Sequence, residues 1–183
     1  MIPIWKYLIQ PKIDYCSQLW SPSDQATIVK LENVQRHFTK MIKGMEDKDY
    51  LDRLTSLKMY SQERRRERYQ IIFIWKVSQG LVEGYEMTFS NSDRRGREAV
   101  PKPIQRTAPA SVKRAREAFL SVKGARISNL LPMWIQTVNG VTTDQFKTVL
   151  DQFLVGVPDQ PTVPGRQRAA ATNSLLDQLQ LIF

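Results

Sequence analysis

Apolar residues in this chain recur mostly at spacings of three and four, and the elements they predict are helices. Ile4, Leu8, Ile9, Tyr15, Leu19 and Trp20 outline a first helix up to about Trp20. Pro11 removes a backbone donor within it and must kink or split it. Ser23 or Asp24 then caps a second helix, whose apolar stripe is Ile28, Leu31, Val34, Phe38, Met41 and Ile42 and whose stop is Gly44. Its other face carries Lys30, Arg36, His37, Lys40 and Lys43. Complementarity of the last-turn lysines to the helix dipole is enough to account for that pattern. A short helix from about Lys48 to Leu57 follows, with Asp47 or Asp49 near its start and Leu51, Leu54 and Leu57 turned inward.

The stretch "SQERRRERYQIIFIWKVSQG", Ser61 to Gly80, opens with four arginines in five positions and continues with five apolar residues in a row. Periodicity alone leaves Ile71 to Trp75 between helix and buried strand, but the charged lead-in and the Gly80 stop favour a helix capped by Ser61 and running to Gln79. A helix apolar on most sides belongs at the centre of a bundle, with the arginines projecting from one end of the core. From Asn91 to Ala110, Gly96, Pro101, Pro103 and Pro109 interrupt every period, which reads as a linker. Beyond it a basic helix is expected from Ser111 to about Val122, with breaks at Gly124 and Pro132. Another starts at Thr142 or Thr143 and aligns Phe146, Val149, Leu150, Phe153 and Leu154. A second Pro/Gly-rich stretch precedes a short tail helix in "TNSLLDQLQLIF". The expected fold is therefore mostly α. It has a helical bundle over residues 1–90, a basic Pro/Gly-containing linker over 91–110, and a smaller helical C-terminal part over 111–183.

Composition agrees with a folded chain: 183 residues with 42% apolar and 25% charged content suffice for a domain with a real core. No apolar run reaches the ~18 residues of a membrane span, and Lys6, Lys12 and Asp14 interrupt the N-terminal pattern, unlike a signal peptide. An intracellular chain with no membrane partner is the expectation. Cys16 is the only cysteine and His37 the only histidine, which excludes an intrachain disulfide and a zinc site of several Cys and His ligands. No phosphate-cradling glycine loop and no nucleophile elbow is present. The one dense acidic group, Glu46, Asp47, Asp49 and Asp52, is expected to serve a helix start rather than a metal, so no cofactor is expected.

Charge changes the picture more. The formal net charge is +9, and residues 93–126 hold ten basic against three acidic residues. Such a local excess suits a polyanion, whose counterions are released on contact with lysine and arginine. The plainer alternative is a solvated connector.

Three stretches, "PKIDYCSQLWSP" (11–22), "LENVQRHFTKMIKG" (31–44) and "LTSLKMYSQERRRERYQIIFIWKVSQG" (54–80), carry a resemblance. The residues concerned are Pro11, Ile13, Asp14, Tyr15, Cys16, Trp20 and Pro22, then Leu31, Glu32, Val34, Gln35, Arg36, Thr39, Lys40 and Ile42, then Arg64 to Arg66, Arg68 and Gly80. Together they resemble the segment downstream of the polymerase domain in reverse transcriptases of non-LTR (LINE-type, jockey-like) retrotransposons. Further likeness runs through Arg95-Gly96, Phe119, Arg126, Asn129, Leu131-Pro132, Phe146-Lys147 and Leu150-Asp151. Ser128 and Gln70 depart from the family pattern, which usually has an aromatic and an acid there. No position matches the polymerase carboxylate motif or the endonuclease, so the resemblance transfers no catalytic role.

The resemblance implies a non-catalytic C-terminal region of an RNA-directed DNA polymerase, in which template RNA or target DNA is held by phosphate contacts. The expected contacts are Arg64, Arg65, Arg66 and Arg68, then Arg94, Arg95 and Arg97, helped by Lys113, Arg114 and Arg116. Pairing of Arg64–Arg68 with Glu63 and Glu67 along the helix is the bland alternative for the first group. A second reading is a module that docks on a polymerase domain in trans, with Trp5, Trp20, Trp75 and Trp134 as candidate anchors. A third is a decayed retroelement remnant without selected function.

Overall fold

The computed structural model describes residues 2–85, 87–92, 96–101, 106–164 and 173–182, and its architecture is mostly helical. The chain opens with α1 (Ile2–Ile4), a π-helical turn Trp5–Ile9 and α2 (Gln10–Asp14). The wide turn closes where Gln10 donates its N–H to Trp5 O, immediately before Pro11, which has no N–H to give. Helix ends at Asp14, short of the expected Trp20. Cys16 adopts a left-handed φ of 51°, and the Trp20 indole N–H donates back to Tyr15 O at 2.6 Å to close the loop.

Helix α3 (Gln25–Lys40) is capped by Asp24, which accepts from Thr27 N–H at 2.9 Å. Its buried face is not the expected apolar stripe. Glu32, Gln35, Phe38 and Thr39 are buried, while Val34 is 47% and Met41 58% exposed. The physical reason lies in its neighbours. Glu32 accepts from Gln62 N–H at 2.8 Å and from the Tyr50 hydroxyl, and Gln35 bonds the Gln62 amide and Tyr60 O. Those donors need polar partners once buried, so the helix turns a polar edge inward. Helix α4 (Tyr50–Leu57) is capped by Asp49, and α5 (Gln62–Ser78) by Ser61, whose Oγ accepts from Arg64 N–H at 3.1 Å.

Residues 89–92 and 96–99 pair as two antiparallel strands, β1 (Phe89–Ser92) and β2 (Gly96–Ala99), which begin just before the expected linker and run into it. A side chain holds β2 in place. Asn129 accepts from Ala99 N–H at 3.0 Å and donates to Ala99 O at 2.7 Å, which satisfies a strand edge as another strand would.

Helix α6 (Ala110–Glu117) leads to a π-helical turn Leu120–Gly124 that runs directly into α7 (Ala125–Leu130). Gly124 does not break the run as expected. A Cβ there would lie 3.0 Å from Leu120 Cδ1 and 3.3 Å from Ile74 Cγ1, so glycine permits close approach to α5. After Pro132 come α8 (Met133–Gln136), α9 (Thr143–Val155) with a full capping box from Thr142 and Gln145, and α10 (Leu175–Ile182).

Helix α5 serves two cores. Ile71, Ile72 and Trp75 pack with Ile127, Ile135, Phe146, Leu150 and others of the C-terminal helices, and Ile74 packs with Ala99, Leu120 and Ala125. Trp75 stacks on Phe146 at 4.3 Å between ring centroids, and its indole N–H donates to Val138 O at 2.7 Å. Residues 1–90 and 111–183 thus share a core rather than holding one each.

Candidate nucleic-acid interface

Four arginines in five positions of a helix cannot share a face, because each residue turns the side chain by about 100°. The structure gives each a separate internal partner. Arg64 is 0% exposed, and its Nη2 donates to Pro158 O and Gln178 Oε1 at 2.9 Å and to Asn173 O at 3.4 Å. Arg65 pairs with Asp14 at 2.9 Å and donates to the Tyr69 hydroxyl.

Arg66 is 3% exposed. It clamps the loop after α2, donating to Trp20 O and Ile13 O at 2.9 Å with its guanidinium 4.0 Å from the Trp20 ring centroid. Burial lowers its pKa, against the opposing charge of Asp14. Arg68 forks onto Asp151 at 2.6 and 2.8 Å. Burial depresses the Arg68 pKa, but Asp151 outweighs it and the net shift is upward.

Arg64 and Arg66 therefore offer no guanidinium to a phosphate, and Arg65 and Arg68 already hold carboxylates. The expectation that these four form a phosphate-binding hand is corrected on that ground. Pairing along the helix is replaced as well. Glu67 meets Lys123 at 2.9 Å and accepts from Leu175 N–H and the Ser174 hydroxyl, fixing the start of α10. Glu63 sits beside it, its pKa pushed up to about 7 by burial and then by the Glu67 charge.

The other expected contacts are dispersed. Arg94 and Arg95 lie outside the described residues. Arg97 belongs to β2 and Arg114 to α6 by backbone, their side chains outside the description. Lys113 and Arg116 on α6 are half-buried, whereas Arg106 and Arg126 are exposed. Of the tryptophans, Trp5 and Trp75 are core residues, and Trp20 and Trp134 reach the surface.

Sequence reasoning gave no partner role to Asp14, Asp151 or Asp159. Asp159 accepts from Ser61 N–H at 2.8 Å and from the Ser61 hydroxyl at 2.6 Å, tying the start of α5 to the segment after α9. No local signal marks them, since each lies 51 to 98 residues from its partner. Fold and site together define a mostly α protein whose central arginines are structural. No protein-family model, curated protein or solved structure matches the chain.

Proposed function

We propose that the chain is a non-catalytic nucleic-acid-binding module, corresponding to the C-terminal region of a non-LTR retrotransposon RNA-directed DNA polymerase, and that it holds RNA or DNA by phosphate contacts without reading sequence. The observation that supports this is where the charge remains. Each of the four ion pairs among the described residues cancels itself, so the +9 excess lies outside them. Without Lys123, which Glu67 neutralises, residues 93–126 carry nine basic against three acidic residues, net +6 of it, with Arg106 and Arg126 exposed.

The test is the salt dependence of binding by the full chain to single-stranded RNA, single-stranded DNA and duplex DNA. Combined replacement of Arg106, Lys113 and Arg126 by Gln is expected to lower the slope of log K against log salt by roughly two to three, at ~0.7–0.9 for each phosphate no longer neutralised. No binding at low salt by a chain shown to be folded defeats the reading.

A docking module is the second reading, favoured by one observation. Around the N-terminal helical run Tyr7 is 78%, Leu8 61% and Leu19 71% exposed. A polymerase domain in trans is the partner that the family resemblance implies.

A further inference from the structure

The C-terminal half of α3 and the start of α4 enclose an open cleft of about 270 Å³, remote in sequence from the 93–126 segment. Arg36, His37, Lys40, Lys48 and Arg53 line it. Arg53 forms its floor. It is 5% exposed, and its guanidinium donates only to neutral groups: Thr39 Oγ1 at 3.2 Å, Lys48 O at 2.9 Å and Arg36 O at 3.3 Å. No ion pair among the described residues includes it, and burial lowers its pKa. A buried cation held by neutral dipoles projects its field into the adjoining space.

Arg36 adds a buried Nε with no hydrogen-bond partner. Lys40 and Lys48 are exposed at the rim. His37 Nδ1 lies 2.9 Å from Asn33 O, which places a proton on that nitrogen. Two carboxylates also face the cleft. Glu46 accepts from Gly44 N–H at 2.7 Å, and Asp49 caps α4. Four permanent cations against two carboxylates leave the cleft positive.

We propose that this cleft binds a phosphate group. Its volume is below the ~300–1,000 Å³ usual for small-molecule sites. The Tyr50 ring on its wall is buried and its hydroxyl is engaged by Glu32, so the cleft offers no platform on which a base could stack. The charge of Arg53 and Arg36, which no ion pair among the described residues cancels, together with the rim lysines matches a phosphoryl group, and the source is free phosphate or the backbone of a nucleic acid. The site goes beyond the function proposed above, because none of its residues belongs to the segment on which that reading rests.

The test is an amide NMR titration of the full chain with inorganic phosphate, against sodium chloride at matched ionic strength. Saturable shifts at His37, Lys40 and Tyr50 with phosphate alone are expected. Arg36→Gln with Lys40→Gln is expected to weaken phosphate about tenfold or more, the loss expected from one charge-assisted hydrogen bond. Lys40 is exposed, so Lys40→Gln alone gives a weaker effect with the fold intact. A parallel titration with unphosphorylated oligouridylate separates the sources. Weaker oligonucleotide binding by the double variant makes the backbone the source, and unchanged oligonucleotide binding beside lost phosphate binding makes it free phosphate. Equal shifts with chloride, or phosphate binding retained by the folded double variant, overturn the proposal.

Discussion

Replacing Glu32 by Gln is expected to flatten the pH dependence of stability. Glu32 is 2% exposed, no ion pair among the described residues includes it, and its oxygens accept from the Tyr50 hydroxyl and from Gln62 N–H. Burial pushes its pKa from an ordinary 4.5 up to about 8, against the lowering effect of those two hydrogen bonds, with Asp159 and Glu63 adding smaller increases. The folded chain therefore keeps that proton up to about pH 8, whereas the unfolded chain releases it near 4.5. Between those values the folded state binds more protons, so this contribution to stability is full below about pH 4.5 and is lost as pH rises through the folded value.

At ~1.4 kcal/mol for each pH unit the loss is at most roughly 5 kcal/mol by pH 8. That is a large part of the ~5–15 kcal/mol of a typical domain. Glu63, raised to about 7, acts in the same direction, so the wild-type slope alone does not isolate Glu32. The difference from the variant does. In Glu32→Gln the amide oxygen accepts from Gln62 N–H and the amide nitrogen donates to the Tyr50 oxygen, which keeps the contacts and removes the charge. Urea unfolding followed by circular dichroism from about pH 5 to 8.5 is the assay, and the variant's advantage is expected to grow by several kcal/mol across that range. Stability curves that run parallel, within ~0.5 kcal/mol, would refute the reasoning.

Arg64→Ala is expected to cost about 3–4 kcal/mol in urea unfolding, because it opens a cavity and removes the buried donor to Pro158 O, Gln178 Oε1 and Asn173 O. An unchanged stability with a shallower salt dependence of nucleic-acid binding would return Arg64 to the surface role. Ser128 Oγ is buried without a partner beside a cavity of about 50 Å³ lined by Ile74, Trp75 and Phe146. Ser128→Ala is expected to stabilise by about 1 kcal/mol, a rise of roughly 2–4 °C in calorimetric Tm; a fall in Tm would mean that the hydroxyl has a partner.

What the sequence determined by itself was the helical class and several helix starts. Asp24, Asp49, Ser61 and Thr142 cap as their side chains predict, and Gly80 sits at positive φ just past the end of α5, whereas α3 ends at Lys40, ahead of the expected stop at Gly44. Capping and periodicity act within about a turn, so the residues that decide them are adjacent in the chain. Tertiary structure alone decided which face of α3 is buried, because the polar groups of Glu32 and Gln35 found donors on Tyr50 and Gln62. It also decided the role of the arginines. A cluster that reads as exposed charge became internal once Asp14, Asp151, Pro158 and Gln178 were brought to it from 51 to 114 residues away. Burying a guanidinium is favourable only where such partners converge, and that convergence is a property of the folded chain as a whole rather than of any window of sequence.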